Sequence, residues 1–500
     1  MLHIPLLRAG KPYKSLDVRH LPHVQTGEPI VEVSQANPGL IAMDLRLAAR
    51  NKQILGKLSI EELLEICEKA AELFLNGDLP IGADIQSPKD YIKQLSATTG
   101  MPEVICRQNM GKIAFVLKDM PNVLGGLTRG LDLRALDSSW DTQNERMMSF
   151  VCQTNALGAI LPSNSTGVHW QWLPAIPLKV PLILKPGSQE PWTPYRIGQA
   201  FMAAGCPGEA ISYYPTDYSG ATEILLRCER SLLFGDRNTV RPWEKQTGVQ
   251  IHGPGLSKVV IGEDNIAQWQ DYLDVIEASV MSNAGRTCLN ASSVWVPARG
   301  RDIAEALAVR LAKIIPRAID APEAQLAAFV NKAIAQRISD TIDLQLSQTG
   351  AVDLTAKYRD SVSVTRSDSE VRASAGRSPA LLQSADCPRL IEAQGMTFLL
   401  PTVIWCENSE HPLANSEFLF PFVSVVQVPQ DELLKRIGPT LTLTAITKDP
   451  TFTRNLLAAP HINSLNLGLI PTTQISWTQP GEGNLFEHLY RQRSLQFLTR

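Results

Sequence analysis

Residues 180–188 read VPLILKPGS. An apolar run leads into Lys185 and is stopped at once by Pro186 and Gly187. A run this short, closed by Pro and Gly, reads as a buried strand rather than a helix. The same plan recurs in GAILPSN (158–164), AISYYPTD (210–217), SLLFGDR (231–237) and VQIHGPG (249–255). Between these runs lie stretches of helical length, TPYRIGQAFMAAG (193–205) and SGATEILLRCE (219–229). Short strands alternating with helices predict βαβ units and a parallel sheet, hence an α/β fold.

A parallel sheet gathers ligands at the carboxyl ends of its strands. Three loops stand there: LPSNST, LKPGSQEP and FGDRNT. Lys185 ends its strand in the second of them, where an ammonium can meet ribose hydroxyls or a phosphate. The chain has no GxGxxG, so the standard dinucleotide phosphate loop is not supported.

A second half begins near residue 253. After KVVIGEDN, residues Ile266, Trp269, Leu273, Ile276 and Val280 fall on one helical face. That face ends in NAGRTCLNASS (283–293), followed by the strand-like SSVWVP and a helix-rich region over 301–337. Inert cysteines usually sit among Leu, Ile and Val. Cys288 sits instead among small and polar residues, as a thiol kept accessible would. Near the N-terminus, Leu63, Leu64, Cys67, Ala70, Ala71 and Phe74 have helical spacing, with Ser59 as N-cap and Glu62 completing a capping box. Residues 126–150 are polar and partly alternating, which suggests exposed strands or an arm. Residues 342–395 carry no clear pattern.

Five hundred residues predict two or three domains. A chain 44% hydrophobic and 19% charged is an ordinary globular composition, and a net charge of −3 argues against a nucleic-acid partner. No apolar run approaches the roughly 18 residues that cross a bilayer. The 8 cysteines form no CxxC pair and no zinc-type grouping with His, which predicts no metal site. Scattered thiols without an export signal predict a cytoplasmic location.

Eight motifs in order resemble the aldehyde dehydrogenase superfamily: ILPSNS, LILKPGSQEP, FMAAGCPGE, LLFGDRNTV, IHGPGLSKVVIGEDN, NAGRTC, FLLPTVIW and SEFLFPFVSVV. The resemblance runs from about residue 40 to the C-terminus. It implies two parallel-sheet α/β domains plus a small oligomerisation arm. The expected division is an NAD(P)-binding domain over 1–252 with arm strands near 126–150, a catalytic domain over 253–475, and a C-terminal arm tail over 476–500. A homodimer or homotetramer follows.

By the same resemblance Cys288 is the nucleophile, and Asn164 joins the Cys288 backbone N–H as an oxyanion hole. Lys185 and Glu417 hold the ribose groups of an NAD or NADP cofactor. Pro162, Ser188, Phe234 and Arg237 fall on the cofactor path. Relatives preferring NAD carry a glutamate where Ser188 stands, so NADP is expected to be accepted at least as readily. Arg286, two places before Cys288, is expected to favour its thiolate. Trp170 and Trp172 are candidates to line a substrate tunnel, though packing suits them better.

The departures are as informative. Where most relatives have a glutamate that activates the hydrolytic water, this chain has His252, itself a candidate base. The usual glycine-rich C-terminal segment is replaced by QPGEGNLFEHLYRQR (479–493). The leading expectation is an NAD(P)-dependent oxidation of an aldehyde to a carboxylic acid through a Cys288 thiohemiacetal and thioester. The alternative passes the acyl group to coenzyme A or reduces an acyl thioester. A third reading is a catalytically idle structural member of the family.

Overall fold

The computed structural model describes residues 1–143, 146–359, 371–373 and 388–496. The apolar runs that open the sequence reading form one seven-stranded sheet. Its order is Val249–His252, Arg230–Phe234, Leu157–Ile160, Leu182–Lys185, Ile211–Tyr213, then the N-terminal Leu6–Arg8 and Lys11–Tyr13. The first five strands are parallel, and the N-terminal pair is antiparallel. The chain runs outward from Leu157–Ile160 through two strands, then returns to place Arg230–Phe234 on its other side. That reversal opens a crevice between the carboxyl ends of Leu157–Ile160 and Arg230–Phe234. The intervening helices, Trp192–Ala203 and Tyr218–Arg227, bury their apolar faces against the sheet.

A second seven-stranded sheet follows. Its order is Ala351–Asp353, Thr402–Cys406, Phe422–Gln427, Ser293–Val296, Lys258–Ile261, Thr440–Ile446 and Ile462–Leu467. All are parallel except Ala351–Asp353. The five inner strands are buried almost throughout, as their apolar runs require in a sheet covered on both faces, while the edge strands Ala351–Asp353 and Ile462–Leu467 are only partly buried or exposed. The link from His252 to Lys258 carries the chain from the carboxyl edge of the first sheet to the amino edge of the second. His252, Cys288 and Glu417 lie where those two edges meet.

Ile60–Asn76 is a helix with the expected Ser59–Glu62 capping box. The stretch 126–150 differs from a run of strands. Met120–Leu127 is helical because Val123, Leu124 and Leu127 pack into the core, and Ala135–Ser138 is a short helix. Only then do Trp140–Gln143 and Arg146–Cys152 pair, joined by Tyr490–Arg493 near the C-terminus as a separate three-stranded sheet. The face marked by Ile266 and Val280 is a 3-10 helix, Ile266–Tyr272, running into an α-helix, Leu273–Met281. Much of the patternless stretch 342–395, with Cys387, lies outside the described residues. No helix among the described residues is long and apolar enough to cross a membrane.

Candidate active site

The segment before Cys288 owes its shape to three successive residues in the left-handed region: Asn283 (φ 53°), Ala284 (φ 55°) and Gly285 (φ 68°). Two of these are not glycine, so the backbone there is strained by about 1–3 kcal/mol each. Gly285 has no alternative, because a Cβ would meet the Pro421 nitrogen at 2.4 Å. Asn290 fixes the turn from the other side. Its Oδ1 accepts from the Thr287 N–H at 2.9 Å, and its amide donates to the Ser279, Val280 and Ser282 carbonyls. Gly255 of the GPG turn lies directly against Cys288, with its missing Cβ 2.0 Å from the Cys288 carbonyl oxygen. Ser257 Oγ donates to that same oxygen at 2.8 Å.

Cys288 is half-buried and lines a cavity of about 660 Å³. The cavity is walled by Trp170, Gln171, Thr287, Trp477 and Glu482, with Asn109 and Asn283 farther along. The Cys288 Sγ donates to Glu482 Oε1 at 3.1 Å. Glu482 Oε2 accepts from Gln171 Nε2 at 2.9 Å and pairs with His252 Nδ1. The His252 ring stacks on Phe234, centroids 4.3 Å apart and planes 12° apart, and its Nε2 is buried with no partner among the described residues. The thiol is held well above its ordinary range by burial, reinforced by the Glu482 and Glu417 charges. Burial would raise the Glu482 carboxyl too, but the His252 hydrogen bond and charge, with Gln171 and the thiol, bring it below the ordinary range.

Glu417 reaches the same turn from the next strand connection, and its Oε2 accepts from the Leu256 N–H at 2.6 Å. Burial pushes it up to about 7, against the pull of the Leu256 and Gly255 N–H groups and of Lys258. Lys258, buried behind it, donates to the Leu256 carbonyl at 2.7 Å and is brought down to about 7 by burial.

The crevice at the chain reversal is a cleft of about 290 Å³, lined by Arg19, Lys185, Ser188, Asp217, Phe234 and Trp243 among others. Lys185 is brought down to about 8 by burial and by the nearby Arg19 charge. Gly187 lets the loop close over Pro162, whose carbonyl oxygen would stand 2.4 Å from a Cβ. Two cations, a serine hydroxyl and three aromatic side chains, Tyr218, Phe234 and Trp243, suit a phosphate-bearing nucleotide, with Asp217 the one acid in the lining.

The aldehyde dehydrogenase family model matches residues 17–362. The chain belongs to the aldehyde dehydrogenase family. Solved structures of the same fold include an NADP-dependent enzyme from E. coli, at 14% identity and TM-score 0.76, covering 99% of this chain and 98% of that one. An NAD-dependent benzaldehyde dehydrogenase from Corynebacterium glutamicum matches at 15% identity and TM-score 0.72, covering 98% and 97%. 3,6-anhydro-L-galactose dehydrogenase in complex with NAP matches at 13% identity and TM-score 0.74, covering 98% and 99%. No curated protein matches significantly in sequence.

Set in that family, the sequence-marked residues fall into two groups. Cys288, His252, Phe234 and Glu417 come together at the meeting of the sheets, while Lys185 and Ser188 line the cleft that Phe234 also borders. Asn164 lies beside the Cys288 loop and donates Nδ2 to the Arg286 carbonyl at 2.8 Å. One expectation needs correction, and two are made more definite. Arg286 does not face the thiol: its guanidinium turns into the protein, donating to the Thr99, Ala327 and Ala328 carbonyls and lying over the Phe329 ring. Arg237 is exposed and is not among the residues lining the cleft, its place on the rim being taken by Arg19. The two tryptophans divide: Trp172 is fully buried against His169, whereas Trp170 does line the cavity.

Sequence reading missed Glu482 and Arg19. Glu482 stands between Gly481 and Gly483 and itself adopts φ 54°. Gly481 is required because a Cβ would meet the Trp170 ring at 2.9 Å. A lone acid between two glycines was the available signal.

Proposed function

We propose that the chain is an NAD(P)-dependent aldehyde dehydrogenase that oxidises an aldehyde to its carboxylic acid through a Cys288 thioester, released by water. The observation that carries the reading is the Cys288 thiol facing the 660 Å³ cavity and donating a hydrogen bond to the Glu482 carboxylate. Deprotonated toward Glu482, the sulfur attacks the aldehyde carbon. The Cys288 backbone N–H and Asn164 stabilise the resulting oxyanion. An amide carries two donors, and the one given to Arg286 fixes its plane while leaving the second for substrate. A dinucleotide, when bound, supplies the acceptor for the aldehyde hydrogen, which departs as hydride. Lys185, Ser188 and Arg19 in the cleft would hold its adenosine end, and the two cations favour a 2′-phosphate there. NADP is therefore accepted at least as readily as NAD.

The test is cofactor reduction with a panel of aldehydes, with NAD and NADP, with and without coenzyme A. Cys288→Ala should abolish reduction and leave dinucleotide binding intact. A Cys288→Ala protein that oxidises aldehydes at the parent rate refutes the assignment, and a steady rate that rises with coenzyme A refutes release by water.

A further inference from the structure

Glu482 reaches the nucleophile from a part of the chain that carries neither the nucleophile nor the cofactor cleft. We infer that Glu482 is the general base of this enzyme and that His252 is the residue that positions it, the pair working as a relay with Cys288. The inference rests on Cys288 being acylated, as proposed above, and goes beyond it by naming the groups that move the protons.

Three observations carry it. The first is contact: Glu482 Oε1 touches the thiol at 3.1 Å, while no hydrogen bond joins His252 to Cys288. A base must be within hydrogen-bond reach of the proton it takes, and Glu482 alone of the two is. The second is orientation. Gln171 and His252 hold Oε2, Gln250 holds the Glu482 backbone carbonyl, and Asn484 Nδ2 donates to the Leu127 carbonyl at 2.8 Å, so Oε1 is the oxygen left for chemistry. The third is enclosure. The Glu482 side chain is only 9% exposed, and the Phe234 ring covers the imidazole that supports it. The titratable groups facing the Glu482–His252 pair are the Cys288 thiol and Glu417, with Lys258 behind Glu417 and His488 near His252.

The steps balance. In acylation Glu482 takes the Cys288 proton as the carbon–sulfur bond forms. After hydride loss leaves the thioester, Glu482 releases the thiol's proton to solvent through the cavity, and as a carboxylate again takes a proton from water as the oxygen bonds the acyl carbon. Collapse breaks the carbon–sulfur bond, the departing sulfur recovers the proton from Glu482, and the carboxylic acid leaves.

The experiment needs no dinucleotide. p-Nitrophenyl acetate acylates a reactive thiol directly, so p-nitrophenolate release follows acylation and deacylation, and mass spectrometry finds the acetyl group. The full-length protein should turn the ester over without accumulating adduct. Glu482→Gln should deacylate at least ~100-fold more slowly, the lower end of general-base effects, and accumulate acetyl on Cys288. Glu482→Asp should recover part of the rate. In His252→Ala the carboxylate loses the hydrogen bond and charge that oppose burial. Its deacylation profile should therefore shift to higher pH, with a plateau lower than the parent's but well above that of Glu482→Gln. Acetyl-Cys288 clearing from Glu482→Gln at the parent rate overturns the relay alone, as does a His252→Ala plateau as low as that of Glu482→Gln. Absence of acetyl from Cys288 in a parent protein inhibited from turning over overturns the nucleophile assignment and the relay together.

Discussion

Gly255→Ala isolates how closely the GPG turn sets the position of Cys288, the proposed nucleophile. The new methyl would stand 2.0 Å from the Cys288 carbonyl oxygen, 2.8 Å from its carbonyl carbon and 3.0 Å from its Cβ. A carbon–oxygen contact relaxes at about 3.3 Å, so one backbone must retreat by roughly 1.3 Å. The Cys288 side is tied down by Ser257 Oγ and by the Asn290 anchor, and the Gly255 side by the adjacent Leu256 N–H bond to Glu417. Whichever gives, the sulfur moves relative to Glu482 or the turn pulls away from Glu417. Displacement of about 1 Å costs roughly 10²-fold in rate. The control is two residues away: a Cβ on Gly253 meets Val240 Cγ2 only at 3.6 Å, an ordinary contact. Steady-state oxidation of one aldehyde and acylation by p-nitrophenyl acetate should both fall about 100-fold in Gly255→Ala and change little in Gly253→Ala. Equal rates for the two variants, with equal thermal midpoints, would refute the idea that this turn positions Cys288.

Arg286→Leu should act on stability and not on the thiol: it strands three carbonyls, and at ~1 kcal/mol each the loss is roughly 3 kcal/mol, read as a lower urea midpoint. Arg19→Ala should weaken NADP binding about tenfold or more and NAD binding much less, measured by fluorescence titration of each dinucleotide. Lys185 sits near 8, below the ordinary lysine value, so its charge is present at pH 7 and lost as pH rises through 8. The preference for NADP over NAD should therefore shrink between pH 7 and 9, with Lys185→Met removing that dependence and Arg19 and Asp217 as the neighbouring charges.

What the sequence made legible was whatever one stretch of chain decides by itself. Leu182–Lys185 is a strand because four residues are buried or half-buried in a row and Pro186–Gly187 then forbids continuation, and no distant residue alters that. Cys288, His252 and Glu417 were legible as members of family motifs, and the meeting of the two sheet edges brings them together. Arg286 was misjudged because neighbours in sequence diverge in space here. The left-handed run at Asn283–Gly285 turns the guanidinium to Thr99, Ala327 and Ala328 while the next residue but one faces the cavity. Glu482 was missed for the converse reason. Its contacts join it to His252, Cys288 and Gln171 across 230, 194 and 311 positions, separations over which no local pattern operates. Chemistry constrains where a carboxylate stands relative to the sulfur, not which segment delivers it. With an imidazole at the strand end, a carboxylate entering from the C-terminal segment can fill the space in front of that imidazole and accept its hydrogen bond. The two substitutions then support one another, since the histidine holds the acid that a glutamate in its own place would exclude by like-charge repulsion.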